Sequence, residues 1–324
     1  MFDFVSFIPR AIMQGVPLLF GSTGETLTEK SGNLNLGIPG VMYVGGISGV
    51  IGAFLYEQAA AGSMNGFLAI MIPLLSSLLG SLIMGLIYCF LTVTLRANQN
   101  VTGLALTTFG VGFGNFFGGS LIKLTGSEVP SIALSATSSY YSRALPFADK
   151  LGWFGKIFLS YGFLAYLAVI IAVVAAYVLK RTRVGLQLRA VGESPNTADA
   201  AGINVTRYKY LATVLGGGIS AIGGVAYITG IAGCVWNHEG LSGVGWLAVA
   251  LVIFCLWKPS AAIWGSILFG CLQNLYLRLS IPFIPSQIYK ILPYIVTVVV
   301  LIFSSLRNNR EKQPPAALGV PYFR

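Results

Sequence analysis

One histidine, four cysteines and ten carboxylates are all that this 324-residue chain offers for acid–base, nucleophilic or metal chemistry. His238 stands beside Trp236, Asn237 and Glu239, with no second histidine to share a metal or a proton. Cys89, Cys234, Cys255 and Cys271 lie singly in or near apolar segments, without the paired spacing of a metal site or a disulfide framework, and are expected to be small buried residues. A phosphate loop of the form G-x-x-x-x-G-K-S/T is absent. Neither ATP hydrolysis, a cofactor nor a metal is therefore expected. The carboxylates fall between or at the ends of the apolar segments, which argues against an ion-coupled carrier working alone, because such carriers place carboxylates inside the membrane. Glu25 and Glu29 are the two that sit closest to breaking this pattern.

A gentler chemistry remains, the holding of a neutral solute. Asn35, Asn115, Gln273 and Asn274 are uncharged amides within apolar runs, suited to hydrogen-bonding a sugar or base without the cost of a buried charge. Phe109, Phe113, Phe116 and Phe117 could stack on a base. Each set has a second reading: amides join membrane helices to one another, and phenylalanines face lipid.

One polar segment has a helix written into it. Ser194 can cap, Pro195 suits the first helical position, and Asn196-Thr197-Ala198-Asp199-Ala200-Ala201 can run about two turns before Gly202 stops it. Asn204 or Thr206 can start the next helix. The small side chains of Ala198, Ala200 and Ala201 suit close docking on another protein, and a structured but idle loop is the alternative.

These residues must be positioned by a membrane bundle. The chain is 55% hydrophobic and 9% charged, against roughly 25% charged in average globular chains. Its mean hydropathy is +0.78. Apolar segments fall at Phe7 to Ser22, Leu34 to Leu55, Phe67 to Leu95, Val101 to Ser120, Phe158 to Leu179, Tyr208 to Gly230, Gly245 to Trp257, Ala261 to Leu279 and Ile288 to Leu306. At ~20 residues per span they predict an all-α, polytopic transmembrane helical bundle of about nine spans, within a range of about eight to ten. Gly245 to Trp257 is short for a crossing and is expected to form a hairpin with the segment after Lys258-Pro259-Ser260. Residues 1–324 read as a single transmembrane domain.

Basic residues set the orientation. Lys180, Arg181, Arg183, Arg189, Arg207 and Lys209 cluster around the polar segment, and Arg307, Arg310, Lys312 and Arg324 around the C-terminal tail. Placing both clusters inside puts 13 of the 20 basic residues in the cytosol, including Lys30, Arg96 and Lys258. A cytosolic loop at 181–206, a cytosolic tail at 307–324 and a cytosolic C-terminus follow; the N-terminus comes out external by this count, with Arg10 an awkward member of that side. The net charge of +10 is thus a membrane-orientation signal and not a nucleic-acid footprint. Among 40 glycines, Gly110/Gly114/Gly118, Gly216/Ser220/Gly224 and Gly45/Gly49 recur at four-residue spacing, and each set predicts a flat stripe against which another backbone can pack.

The runs GETLTEKSGNLNLGIPGVMYVGG (Gly24 to Gly46) and LRAVGESPNTADAAGINVTRYKYLATVLGGGISAIGGVAY (Leu188 to Tyr227) resemble the membrane permease subunits of bacterial ABC importers for simple sugars, branched-chain amino acids and nucleosides. The first run and the tail PPAALGVPYFR, from Pro314, resemble the nucleoside branch, with a simple-sugar permease of the ribose/galactose type as the alternative. The resemblance covers nearly the whole chain and departs from its relatives at Pro39, where an acidic residue is common. It implies a non-catalytic, multi-pass subunit of the bacterial plasma membrane that forms half of a translocation pathway. It also implies three partners: a cytosolic ABC ATPase, a second related permease subunit and an extracytoplasmic substrate-binding lipoprotein. The second run matches the coupling loop of that group, which would give Gly192, Glu193, Ser194, Pro195, Asn196, Ala198, Asp199, Ala200, Ala201, Gly202 and Ile203 the role of engaging the ATPase. Asn35, Phe113, Asn115, Phe117, Gln273 and Asn274 are the expected pathway residues.

Overall fold

The computed structural model describes residues 4–60, 62–125, 131–143, 152–238, 240–278, 286–306 and 313–323. In chain order the helices are α1 (Phe4–Glu29), α2 (Ile38–Ala60), α3 (Gly66–Cys89), α4 (Gln99–Thr125), α5 (Ser135–Tyr141), α6 (Gly152–Phe158), α7 (Phe163–Arg181), α8 (Arg183–Glu193), α9 (Pro195–Ala200), α10 (Val205–Gly230), α11 (Val244–Phe254), α12 (Pro259–Arg278) and α13 (Ser286–Leu306). Each apolar segment expected from the sequence overlaps one of these, namely α1 to α4, α7 and α10 to α13. Among the described residues, four of them, α2, α3 with its extension to Thr94, α7 and α10, contain a stretch long and apolar enough to cross a membrane. Helix α11 is only 11 residues long, about 17 Å at 1.5 Å per residue, and cannot cross the ~30 Å hydrocarbon core by itself.

Two departures from uniform helix stand out. Helix α3 ends in a π-helical turn, Phe90–Thr94, and then reverses at Arg96, whose φ is +59°. The strands β1 (Ser131–Ala133) and β2 (Val235–Asn237) pair antiparallel with Ile132 opposite Trp236, a small addition that an all-helical reading omits. Three-residue strands carry little apolar periodicity, so nothing in the sequence marks them.

Burial divides the helices into centre and periphery. The spanning windows of α2 and α10 are 83% and 67% buried, against 39% for α3 and 33% for α7. Helix α10 packs on α1, α2 and α3, and α1 also packs on α12 and α11. The centre is possible because glycine removes the side chains between helices. A Cβ on Gly110 would stand 2.5 Å from Gly40 Cα, one on Gly45 2.4 Å from Ala221 Cβ, and one on Gly224 2.1 Å from Met42 O. The expected stripes on α4, α10 and α2 are therefore contact surfaces, packed on backbone at Gly110, Gly216 and Gly224 and on side chains at Gly114 and Gly49. Gly118 makes room differently: the buried indole of Trp236 fills the space above it and stacks edge-on to Tyr43 at 6.1 Å between centroids. Cys89, Cys234 and Cys255 are buried and Cys271 half-buried.

Candidate functional site

The polar segment between α7 and α10 folds as two short helices. Thr182 Oγ1 accepts from Gly185 N–H at 3.1 Å and starts α8, which the sequence reading left as loop. Its signal was present: Gly185, Leu188, Val191 and Gly192 form one buried face among exposed polar neighbours. Helix α9 begins as expected, with Ser194 Oγ accepting from Thr197 N–H at 3.4 Å and Pro195 in the first turn. It ends on Gly202, whose φ of +81° lets its N–H reach Asp199 O while Ile203 N–H reaches Ala198 O, each at 2.9 Å. Asn204 Oδ1 then caps α10 through Arg207 N–H at 2.9 Å.

The short helix shows one face outward. Asn196, Thr197, Ala200 and Ala201 are exposed, and Ser194, Pro195, Asp199 and Ile203 half-buried. Ala198, expected on the docking surface, is instead buried against Val191 and Val205, because the two-turn helix must seat one small residue on α8 to be held at all. Gly192 is enclosed, and the exposed Glu193 accepts from Ala316 N–H at 3.3 Å.

A buried polar layer lies at the same end of the bundle. Glu25 and Glu29, one turn apart on α1, are 0% and 3% exposed, and Glu29 Oε2 accepts the Trp257 indole N–H. Neither Glu25 oxygen has a hydrogen bond of ordinary geometry. Around them Asn33 donates to Thr213 Oγ1 at 2.9 Å, Tyr88 donates to Leu34 O at 2.6 Å, and Gln99 Oε1 accepts from Leu34 N–H at 2.7 Å. These bonds tie the α1–α2 connection to α3, α4 and α10. Both carboxylates lie in the last two turns of α1, whose final residue is Glu29, and both are buried. Lys30, next along the chain, has its ammonium pushed below the usual lysine range by burial, with Glu193 opposing that fall and Arg189 adding to it.

The structure separates the six expected pathway residues into three places. Asn35 is buried and its Oδ1 accepts from Gly37 N–H at 2.9 Å, which shapes the start of α2. Asn274 is buried on α12 and donates to Phe7 O at 3.4 Å, with half-buried Gln273 beside it. Phe113, Asn115 and Phe117 lie together on α4. There Phe109, Phe113 and Phe117 form a ladder with centroid separations of 5.9 and 4.5 Å. Two neighbours on this helix escaped the sequence reading: Thr108 and Gly112 are exposed, and a Cβ on Gly112 would meet nothing within 4 Å.

Comparison with known proteins places this architecture. Residues 7–301 match the family described as "Branched-chain amino acid transport system / permease component", and the chain belongs to that family. It is an integral membrane permease subunit. It is 32% identical to the nucleoside ABC transporter permease protein NupC of Lactococcus lactis over 91% of this chain and 90% of the relative. It is 29% identical to the guanosine ABC transporter permease protein NupQ of Bacillus subtilis, over 98% and 96%. It is 30% identical to TsgC13 of Haloferax volcanii, a candidate glucose ABC transporter permease, over 95% and 94%.

Proposed function

We propose that this chain is the membrane permease subunit of an ATP-driven importer of nucleosides in a bacterial plasma membrane. It works with a cytosolic ATPase, a second related permease and an extracytoplasmic binding lipoprotein. The observation that carries the pathway is a contrast between outer faces. Those of α3 and α7 are wholly suited to lipid: Leu75, Leu79 and Ile83 on one, Ile170, Val173 and Tyr177 on the other, are each more than half exposed. The outer face of α4 carries Thr108, Gly112 and, at its edge, Asn115 beside the phenylalanine ladder. Uncharged polar groups and aromatic faces together suit a neutral ribose and a base. The polar members of such a face gain little from lipid, which favours its being covered by the second permease subunit with the solute between them. NupC and NupQ favour nucleosides; TsgC13 supports a sugar as the second reading.

Vesicles containing the assembled importer should take up labelled nucleoside with ATP supplied to the ATPase side and be indifferent to an ionophore. Competition by unlabelled glucose but not by nucleosides would overturn the substrate assignment, and uptake driven by the ion gradient without ATP would overturn the importer. Asn115→Leu should slow uptake about fivefold to tenfold, the worth of one hydrogen bond near a dry site, while the permease pair still co-purifies. Loss of the pair instead would make Asn115 a packing residue.

Orientation rests on the end of the bundle that carries α8 and α9, where Lys30, Arg96, Arg189 and Arg207 gather. We assign it to the cytosol. A cysteine placed at Thr197 should be labelled only after cells are permeabilised, and one at the exposed Ser139 in intact cells. Labelling of position 197 from outside would invert the assignment.

A further inference from the structure

The C-terminal tail is bound at three places, and the last of them is a groove. Pro314 and Pro315 stiffen its start, after which Leu318 N–H turns back to Pro315 O at 3.0 Å and Val320 N–H to Ala317 O at 3.1 Å. From this turn Ala317 N–H reaches Gly192 O at the end of α8, at 3.0 Å, and Gly319 N–H reaches Gly32 O in the α1–α2 connection, at 3.2 Å. The three strands of chain meet backbone to backbone at glycines. A Cβ on Gly192 would lie 2.3 Å from Lys30 O, and Gly32 and Gly319 hold φ values of +86° and +79° that other residues rarely adopt.

Beyond the junction Tyr322 packs on the cluster of Val191, Ala198 and Val205 that supports α9. The guanidinium of Arg96, at the corner between α3 and α4, lies 4.7 Å from the ring centroid of Phe323. Between this corner, the end of α9 and the start of α10 opens a groove of about 710 Å³, lined by Arg96, Asp199, Gly202, Arg207, Tyr210 and Tyr322. A hydrogen bond of 2.5 Å between Thr94 and Tyr210 side chains joins its two flanking helices. Ordering a tail of this length costs roughly 1–2 kcal/mol per residue in backbone entropy alone, so its many fixed contacts mark a built wall.

We infer that the tail is a structural part of the ATPase-docking face. It clamps α8 and α9 to the α1–α2 connection and, with Arg96, walls a second contact groove beside the coupling helix. The occupant is the ATPase subunit, because the groove is continuous with the exposed end of α9 at Gly202. Arg96 and Arg207 outnumber Asp199 along the lining, which favours an acidic contact from that partner. The clamp also gives displacement of α8 and α9 a path to α1 and α2 that does not pass through α7 or α10. This inference rests on the proposed importer and on the ATPase-engaging role that the resemblance gives α9, and the experiment separates the two.

The whole importer is purified through a tag on the second permease subunit, and the captured ATPase is quantified alongside uptake. Three variants of this chain are compared: truncation after Gln313, Arg96→Glu and Ala201→Arg. Truncation and Arg96→Glu should each lower captured ATPase about tenfold with the permease pair intact, as expected for a contact at the edge of an interface. If the truncated chain fails to reach the membrane, Arg96→Glu decides, since that side chain is exposed and its loss cannot unfold the bundle. Wild-type capture and uptake in Arg96→Glu, or in a truncated chain that inserts, would overturn the tail's role. Wild-type capture in Ala201→Arg alone would leave the tail standing and remove α9 as the coupling element.

Discussion

Replacing Gly24 by valine should leave almost no assembled permease in the membrane. Gly24 on α1 and Gly216 on α10 face each other so closely that a Cβ on Gly24 would sit 2.2 Å from Gly216 O, and one on Gly216 2.4 Å from Gly24 O. Ser220 Oγ lies 2.3 Å from the same point and donates to Gly21 O at 3.2 Å, so the side chain that might yield is itself engaged. Backbone atoms cannot step aside as a flexible side chain can, and the helices must separate. Overpacking of a close-fitted core costs about 1–3 kcal/mol and more where backbone must move; with backbone on both sides, more than ~3 kcal/mol is expected. The measurement is the amount of protein extracted from membranes and its unfolding midpoint in detergent. Val173→Leu is the control, because that side chain lies on the outer face of α7 and is more than half exposed, and it should be extracted at wild-type level. A Gly24→Val protein of normal yield and midpoint would mean that α1 and α10 do not meet here.

Ala201→Arg should reduce uptake at least ~tenfold while leaving insertion untouched, the effect expected when a bulky charge blocks the centre of a tight interface. Ala201 is exposed at the C-cap of α9, so a larger side chain there can extend outward without opening the bundle. Its companion, Gly202→Val, acts through the backbone: a β-branched residue at φ +81° is strained by about 1–3 kcal/mol, and α9 would fray from the end that presents Ala200 and Ala201. Uptake should fall in both, and only in the second should a gain in proteolysis near position 202 accompany it. Full uptake by both variants would remove α9 from the transport cycle.

What could be read from the sequence, and what could not, divides along a physical line. Ser194, Pro195, Gly202 and Asn204 were legible because caps and stops are local: their chemistry acts within four residues of themselves. The glycine stripes were legible as spacing, but not their partners, since nothing in Gly110 or Gly216 names Gly40 or Gly24 as the facing residue. The amides Asn35, Asn115, Gln273 and Asn274 look alike in an apolar run. Only the direction in which each helix turns its face leaves Asn115 half-buried on α4 and sends Asn35 to the start of α2. Glu25 and Glu29 were legible in place but not in environment. Their spacing sets them one turn apart near the end of α1, whereas their burial comes from distant neighbours such as Trp257, 228 positions beyond Glu29. The tail and α8 were missed because their order comes from contacts with residues more than a hundred positions away or from a face too short to stand out.

The helix at the centre of the bundle is one of the late arrivals. Synthesis delivers α1 and α2 first, yet the partner that closes against both is α10, and the bond from Ser220 to Gly21 spans 199 residues of chain. Until α10 is inserted, Gly24 on α1 and Gly45 on α2 lack the residues they pack against, although α2 can already meet α3 and α4. Those two glycine faces wait in lipid or in the insertion machinery while more than half the protein is made. Long-range closure of this kind makes assembly slow relative to a bundle in which neighbours in sequence are neighbours in space. A chain that stops before Val205 therefore lacks the piece that joins α1 to α2 and α3, because α1 and α2 meet each other only slightly without it.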